Sequence, residues 1–186
     1  RRHEAIVQFG AELAGQLLVY PNTDQLAEDG SVAENTDPWL FNNQSVAWYR
    51  GHYFADPADA ASALASPLRE ERLDGLPPAL VITAEFDPLR DEAIEYAQRL
   101  MQSGVPTELH VVPGAIHAFD GLAADIQLSQ RVRASRYLAL TTLVSHGVKG
   151  RTVTPGERWL DPEIASVVPF LSDRAPGSTS IVEGRK

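Results

Sequence analysis

The chain has 186 residues, enough for one domain with a real core, and 44% hydrophobic against 22% charged residues is the balance of a folded globular protein. A formal net charge of −9 argues against nucleic acid as a partner, because phosphate neutralisation needs a basic face. The absence of cysteine excludes disulfides, thiol catalysis and Cys-based zinc sites; it leaves the cytoplasm as the default location, and apolar runs such as LLVY and ALVI are too short to span a bilayer.

In chain order, Ile6, Phe9 and Leu13 recur at helical spacing and the pattern stops near Gly15, which predicts an opening helix. QLLVYP (16–21) follows as a continuous apolar run closed by proline, the signature of a strand covered on both faces. Residues 22–38 read as a polar loop, 40–54 as an aromatic-rich helix and 55–78 as an irregular connector. ALVITAE (79–85) is a second buried strand. It leads into a helix over 87–104 with Pro88 in the first turn, acids early, an apolar stripe of Leu89, Ala93, Tyr96 and Leu100, and Gly104 at the end. TELHVVPG (107–114) is a third strand and 121–147 a long helix. Strand and helix in this alternation predict an α/β fold with three parallel strands joined by crossover helices over residues 1–146. Residues 147–186, rich in Pro and Gly and without a sustained period, read as an irregular tail.

Ligands of open α/β sheets gather at the carboxyl ends of the strands. Asp87 ends the second strand and His117, in PGAIHAF, ends the third. An imidazole can take and return a proton near neutral pH, and a carboxylate on its other nitrogen fixes its tautomer. Acid followed by histidine on neighbouring strands is the order of the last two members of an α/β-hydrolase triad. The plainer alternative for Asp87 is a helix N-cap before Pro88. Among the other histidines, His110 alternates onto one face of a strand and reads as structural, while His3, His52 and His146 read as solvated. Trp39, Trp48, Tyr49, Tyr53 and Phe54 either line a pocket or pack a helix on the sheet. The basic run RVRASR (131–136) reads as a solvated helix face.

The segment LPPALVITAEFDPLRDEAIEYAQRLMQSGVPTELHVVPGAIHAF resembles the C-terminal half of a hormone-sensitive-lipase-type carboxylesterase of the α/β-hydrolase superfamily. AGQLLVYPNTD resembles that family's strand after the nucleophile helix and ASPL its segment before the next strand, so the likeness covers about residues 5–145. The resemblance implies Asp87 as triad acid and His117 as triad base, with Leu89, Ile116 and Phe119 as wall residues near the substrate. It implies hydrolysis of short or medium acyl esters with no metal and no other cofactor. Asp91 reads instead as an acid of the first helical turn, favoured by the helix dipole.

Three features depart from that family. No serine in the chain has glycine at both −2 and +2, so the G-x-S-x-G elbow is missing, and so is the oxyanion motif of the HGG type. Ala118 stands where the family usually has glycine, which suggests a methyl crowding the floor of the site. The expectation is therefore a portion of an esterase, inactive alone because a base without a nucleophile has nothing to activate, and needing an N-terminal half. A serine peptidase or amidase of the same fold is an alternative, as is a non-catalytic relative. Retention of both Asp87 and His117 counts against the last.

Overall fold

The computed structural model describes residues 13–147, with the side chains of 143–147 left aside; the expected helix at the start of the chain, before Leu13, and the 148–186 stretch of the tail lie outside that range. Ten elements appear in order: β1 (Gln16–Val19), α1 (Ser31–Glu34), α2 (Asn43–Tyr53), two 3₁₀ turns (Pro57–Ala61 and Pro67–Arg69), β2 (Ala79–Phe86), α3 (Arg90–Gln102), β3 (Thr107–Ile116), α4 (Phe119–Leu122) and α5 (Gln127–Gly147). The strands form one parallel sheet in the order β1-β2-β3, as the alternation of patterns predicts.

β2 is the central strand, and its side chains alternate between two cores. Leu80, Ile82 and Ala84 face Val112, Phe119 and Val132 of α5. On the opposite face Ala79 packs with Tyr96 and Leu100 of α3, and Val81 packs with Ala93 and Ala97. Burial on both faces explains why ALVITA is an unbroken apolar run rather than an alternating one. Leu100 is fully buried, a contribution of about 1.5–3 kcal/mol. α3 stops where Gly104 adopts φ +77 and Val105 N–H turns back to the carbonyl of Leu100, at 3.0 Å. A left-handed glycine after the last turn closes a helix without steric cost.

Two boundaries differ from the sequence reading for identifiable reasons. The helix expected over 87–104 begins only at Arg90, because Asp87, Pro88 and Leu89 form a separate turn in which Arg90 N–H donates to the carbonyl of Asp87. The helix expected over 121–147 is split into α4 and α5. Between them the carbonyls of Ala124 and Asp125 accept from the side chains of Arg133 and Gln130, at 2.7 and 3.0 Å, instead of from helical N–H groups. The loop expected over 22–38 also contains the single turn α1.

α2 starts at a side-chain cap: Asn42, with extended backbone, accepts from Ser45 N–H at 2.9 Å. Removing that acceptor in Asn42→Ala is expected to cost about 1 kcal/mol, read as a lower urea midpoint with unchanged slope. Three of the five aromatic residues singled out in this region follow neither of the two expectations. Trp39, Trp48 and Tyr53 are 92%, 67% and 69% exposed, so they neither pack on the sheet nor line a closed pocket. His52 stacks on Trp48 at 4.4 Å near the surface, in keeping with a solvated role.

Candidate active site

The carboxyl ends of the three strands lie side by side and carry Tyr20, Asp87 and His117. Their alignment depends on an irregularity in β3. Ala84 pairs with Val112, whereas Phe86, only two residues on, pairs with Ile116. β3 thus spends four residues where β2 spends two. Gly114 makes this detour possible with φ +69, and its N–H donates to a Glu85 carboxylate oxygen at 2.6 Å. Continued at the register of Ala84 and Val112, the ladder would set Ala115 opposite Asp87; past the detour it is His117 that arrives there.

Asp87 is fully buried, and its two oxygens have separate tasks. Oδ1 accepts from Leu89 N–H at 2.8 Å, which locks the Asp-Pro-Leu turn. Oδ2 bonds Nδ1 of His117 at 2.9 Å. Asp87 is therefore not the N-cap of α3, a position taken by Leu89. The bond holds the proton of the neutral imidazole on Nδ1 and leaves Nε2 as the basic nitrogen, on a side chain that retains 23% exposure.

Two aromatic rings flank the imidazole: Tyr20 at a centroid distance of 5.1 Å and Phe41 at 4.4 Å. Phe41 in turn stacks on Tyr49. Neither Tyr20 nor Phe41 stands out in the sequence, since each belongs to a longer apolar or aromatic stretch without a spacing of its own. Ala118, directly after His117, lies in the left-handed region at φ 56. The burden of alanine there is thus in the backbone, where a Cβ costs about 1–2 kcal/mol, rather than in a crowded floor.

The proposed wall residues take different positions. Leu89 and Phe119 are 3% and 5% exposed and turn into the core, and Ile116 packs half-buried against the same cluster as Phe119. Asp91 does lie in the first turn of α3, and it also accepts from Ser31 N–H at 2.8 Å and pairs with Arg90 at 2.7 Å, so its carboxyl is held below the usual range. His110 bonds Glu108 two residues earlier on its own strand. The reading of RVRASR as a wholly solvated face is corrected. Arg133 reaches the carbonyl of Ala124, and Arg136 forms a 2.8 Å ion pair with the buried Asp120.

Another buried carboxylate, Glu92, sits five residues after Asp87. Its Oε1 accepts from the N–H groups of Thr23 and Asp24 at 2.6 and 3.2 Å, while Thr23 Oγ1 donates to the Glu92 carbonyl at 2.9 Å. Arg50 approaches Oε2 at 3.7 Å. Burial pushes the carboxyl up to about 7 against the opposing pull of these N–H groups and of Arg50. Sequence reading passed over Glu92, which looks like any first-turn acid. Among the described residues no group of three His, Asp or Glu side chains is arranged to hold a metal ion, and no helix is long and apolar enough to cross a membrane.

Residues 3–121 match the alpha/beta hydrolase fold family. The chain belongs to that family. The resemblance to hormone-sensitive-lipase-type carboxylesterases, read from the strand and helix motifs, is thereby supported. Relatives of this α/β hydrolase include the esterase LipI of Mycobacterium tuberculosis, 34% identical over 142 residues, which covers 74% of this chain and 43% of the relative. An arylesterase of Saccharolobus solfataricus is 54% identical over 140 residues, covering 63% of this chain and 45% of the relative. Among solved structures, the esterase LipW from Mycobacterium marinum superposes with a TM-score of 0.67 at 34% identity, over 75% of this chain and 44% of that one. The chain thus spans less than half the length of these α/β-hydrolase relatives.

Proposed function

We propose that this chain supplies the acid and base of a serine-type carboxylic-ester hydrolase acting on short or medium acyl esters. One observation carries the reading: the 2.9 Å bond between a fully buried Asp87 and Nδ1 of a partly exposed His117, at the carboxyl ends of adjacent parallel strands. The esterases among its relatives point the same way. Nε2 of His117 takes the proton of a serine hydroxyl as its oxygen attacks the acyl carbon. The same proton passes to the leaving alcohol when the tetrahedral intermediate collapses. Water then attacks the acyl-serine as Nε2 takes one of its protons, and when this second tetrahedral intermediate collapses Nε2 returns that proton to the serine oxygen, releasing the acid and the free serine. Asp87 stabilises the imidazolium formed in each half-reaction without itself taking the proton.

This reading requires a nucleophile and oxyanion donors from polypeptide beyond these 186 residues, because no serine here has glycine at both −2 and +2. Supplied with such a segment ahead of residue 1, the protein is expected to turn over p-nitrophenyl butyrate and to leave butyryl p-nitroanilide essentially untouched. Faster cleavage of the anilide would move the assignment to an amidase or peptidase. Turnover of neither, with a serine-reactive phosphonate failing to label the joined protein, would remove hydrolysis altogether.

A further inference from the structure

Tyr20 is held in a manner that its place at the end of a strand does not require. Its N–H still donates to the carbonyl of Ile82 at 2.7 Å, continuing the β1–β2 ladder, but its φ is 49. Among the described residues, the non-glycine residues with positive φ are Tyr20 and Ala118. One touches the ring of His117 and the other follows it in the chain. A left-handed backbone at a bulky residue is an unfavourable state that persists only where its surroundings over-determine it.

The surroundings do so through the hydroxyl. Tyr20 OH donates to Oδ1 of Asp120 at 2.7 Å, and Arg136 of α5 closes on Oδ2 of the same carboxylate at 2.8 Å. The guanidinium also lies 5.8 Å from the centre of the Tyr20 ring. Asp120 is 8% exposed. Burial alone would raise its carboxyl, but the hydrogen bonds from Tyr20 and Arg136 outweigh it and hold the group below its ordinary range. Burial and the neighbouring Asp120 push the Tyr20 phenol well above its ordinary value, so it stays a donor.

The geometry points to Tyr20 as a positioning residue for His117: its ring rests against the imidazole while Asp120 and Arg136 anchor its hydroxyl. This rests on the acid–base reading of Asp87 and His117. Among the described residues the imidazole has one hydrogen bond, at Nδ1, and a single bond leaves the ring free to swing about it. Contact with the Tyr20 ring at an interplanar angle of 48° limits that swing. The anchor ties together the end of β1, the turn after the base and α5. Asp120 lies three residues from His117, so the anchor and the base share one short stretch of backbone. Phe41 covers the imidazole as well, but its side chain carries no polar group with which to be anchored.

The test is the ring-nitrogen NMR spectrum of His117 in the full 186-residue chain, which reads the tautomer without needing turnover. The native chain is expected to show mainly the Nδ1–H form. Tyr20→Phe keeps the ring and loses the anchor, and Arg136→Gln loosens Asp120 from the other side. Each is expected to lower the ratio of Nδ1–H to Nε2–H tautomer about fivefold, the scale of one net hydrogen bond. Tyr20→Ala, which removes the ring as well, should lower it further. If Tyr20→Ala fails to fold, the two milder variants still decide the matter. An unchanged ratio in folded Tyr20→Phe and Arg136→Gln, alongside its collapse in Asp87→Asn, would overturn the positioning role and leave the acid–base pair intact. An unchanged ratio in Asp87→Asn would instead refute the pair on which the role depends.

Discussion

Replacing Asp87 with asparagine is expected to lower kcat by about 10⁴ in a polypeptide that carries the nucleophile, with little change in fold. The reason lies in the division of labour between the two oxygens. Asn retains an Oδ1 that can accept from Leu89 N–H, so the turn is preserved. Its amide nitrogen, however, then faces Nδ1 of His117, where a carboxylate oxygen now lies. An N–H pointing at Nδ1 demands an acceptor there and drives the ring proton to Nε2. A protonated Nε2 cannot receive the serine proton, and the imidazolium loses its counter-charge. His117→Ala removes the base itself and is expected to cost at least as much. Unchanged thermal unfolding of both variants, with KM altered much less than kcat, would assign the loss to chemistry. Near-native turnover in Asp87→Asn would take Asp87 out of the mechanism.

Glu92→Gln is expected to raise stability at pH 8 by about 1–3 kcal/mol and by well under half as much at pH 5. The Glu92 carboxyl is raised from 4.5 to about 7 in the folded state. Folded protein therefore binds more protons than unfolded protein between those values, and stability contributed by this group falls as pH rises through the window. At pH 5, near the lower edge of the window, most of that cost has gone, and below 4.5 the carboxyl is protonated in both states. Glutamine keeps an oxygen for Thr23 and Asp24 N–H and carries no charge to bury. Arg50 retains its bonds to the carbonyls of Ala27 and Asp24 at 2.6 and 2.8 Å, which limits the loss from removing its distant partner. Urea unfolding at the two pH values reads the difference directly. Equal destabilisation at both would mean that the ionised carboxylate is what the fold accommodates.

The framework was legible because its signals are local. ALVITA is apolar on both faces of a parallel sheet, and Asp-Pro followed by Leu, Arg and early acids marks the entry to α3. QLLVY reads the same way, but among the described residues β1 is an edge strand and Leu17 is 38% exposed. Asp87 and His117 could be named because each ends a recognisable strand. What lay beyond the sequence was whatever depended on long-range contacts. Tyr20 and Asp120 are 100 residues apart, and nothing in either segment announces the other. Arg133 and Arg136 looked like surface charge because a basic run on a helix usually is one. Their inward turn is set by carbonyls and a carboxylate supplied by the stretch before α5. The Pro-Gly pair in VVPGAI was a visible sign of a break in β3, but its length could not be counted without the partner strand.

The detour at Pro113 and Gly114 gives segment length an unusual weight here. Each residue of extended chain advances by roughly 3.3 Å, more than the tolerance of any proton-sharing contact. Gaining or losing a single residue between Val112 and Ile116 would move the end of β3 by about that distance along β2 and carry His117 past Asp87. The spacing along β3, and not the identity of two side chains alone, thus decides whether the Asp87–His117 pair forms.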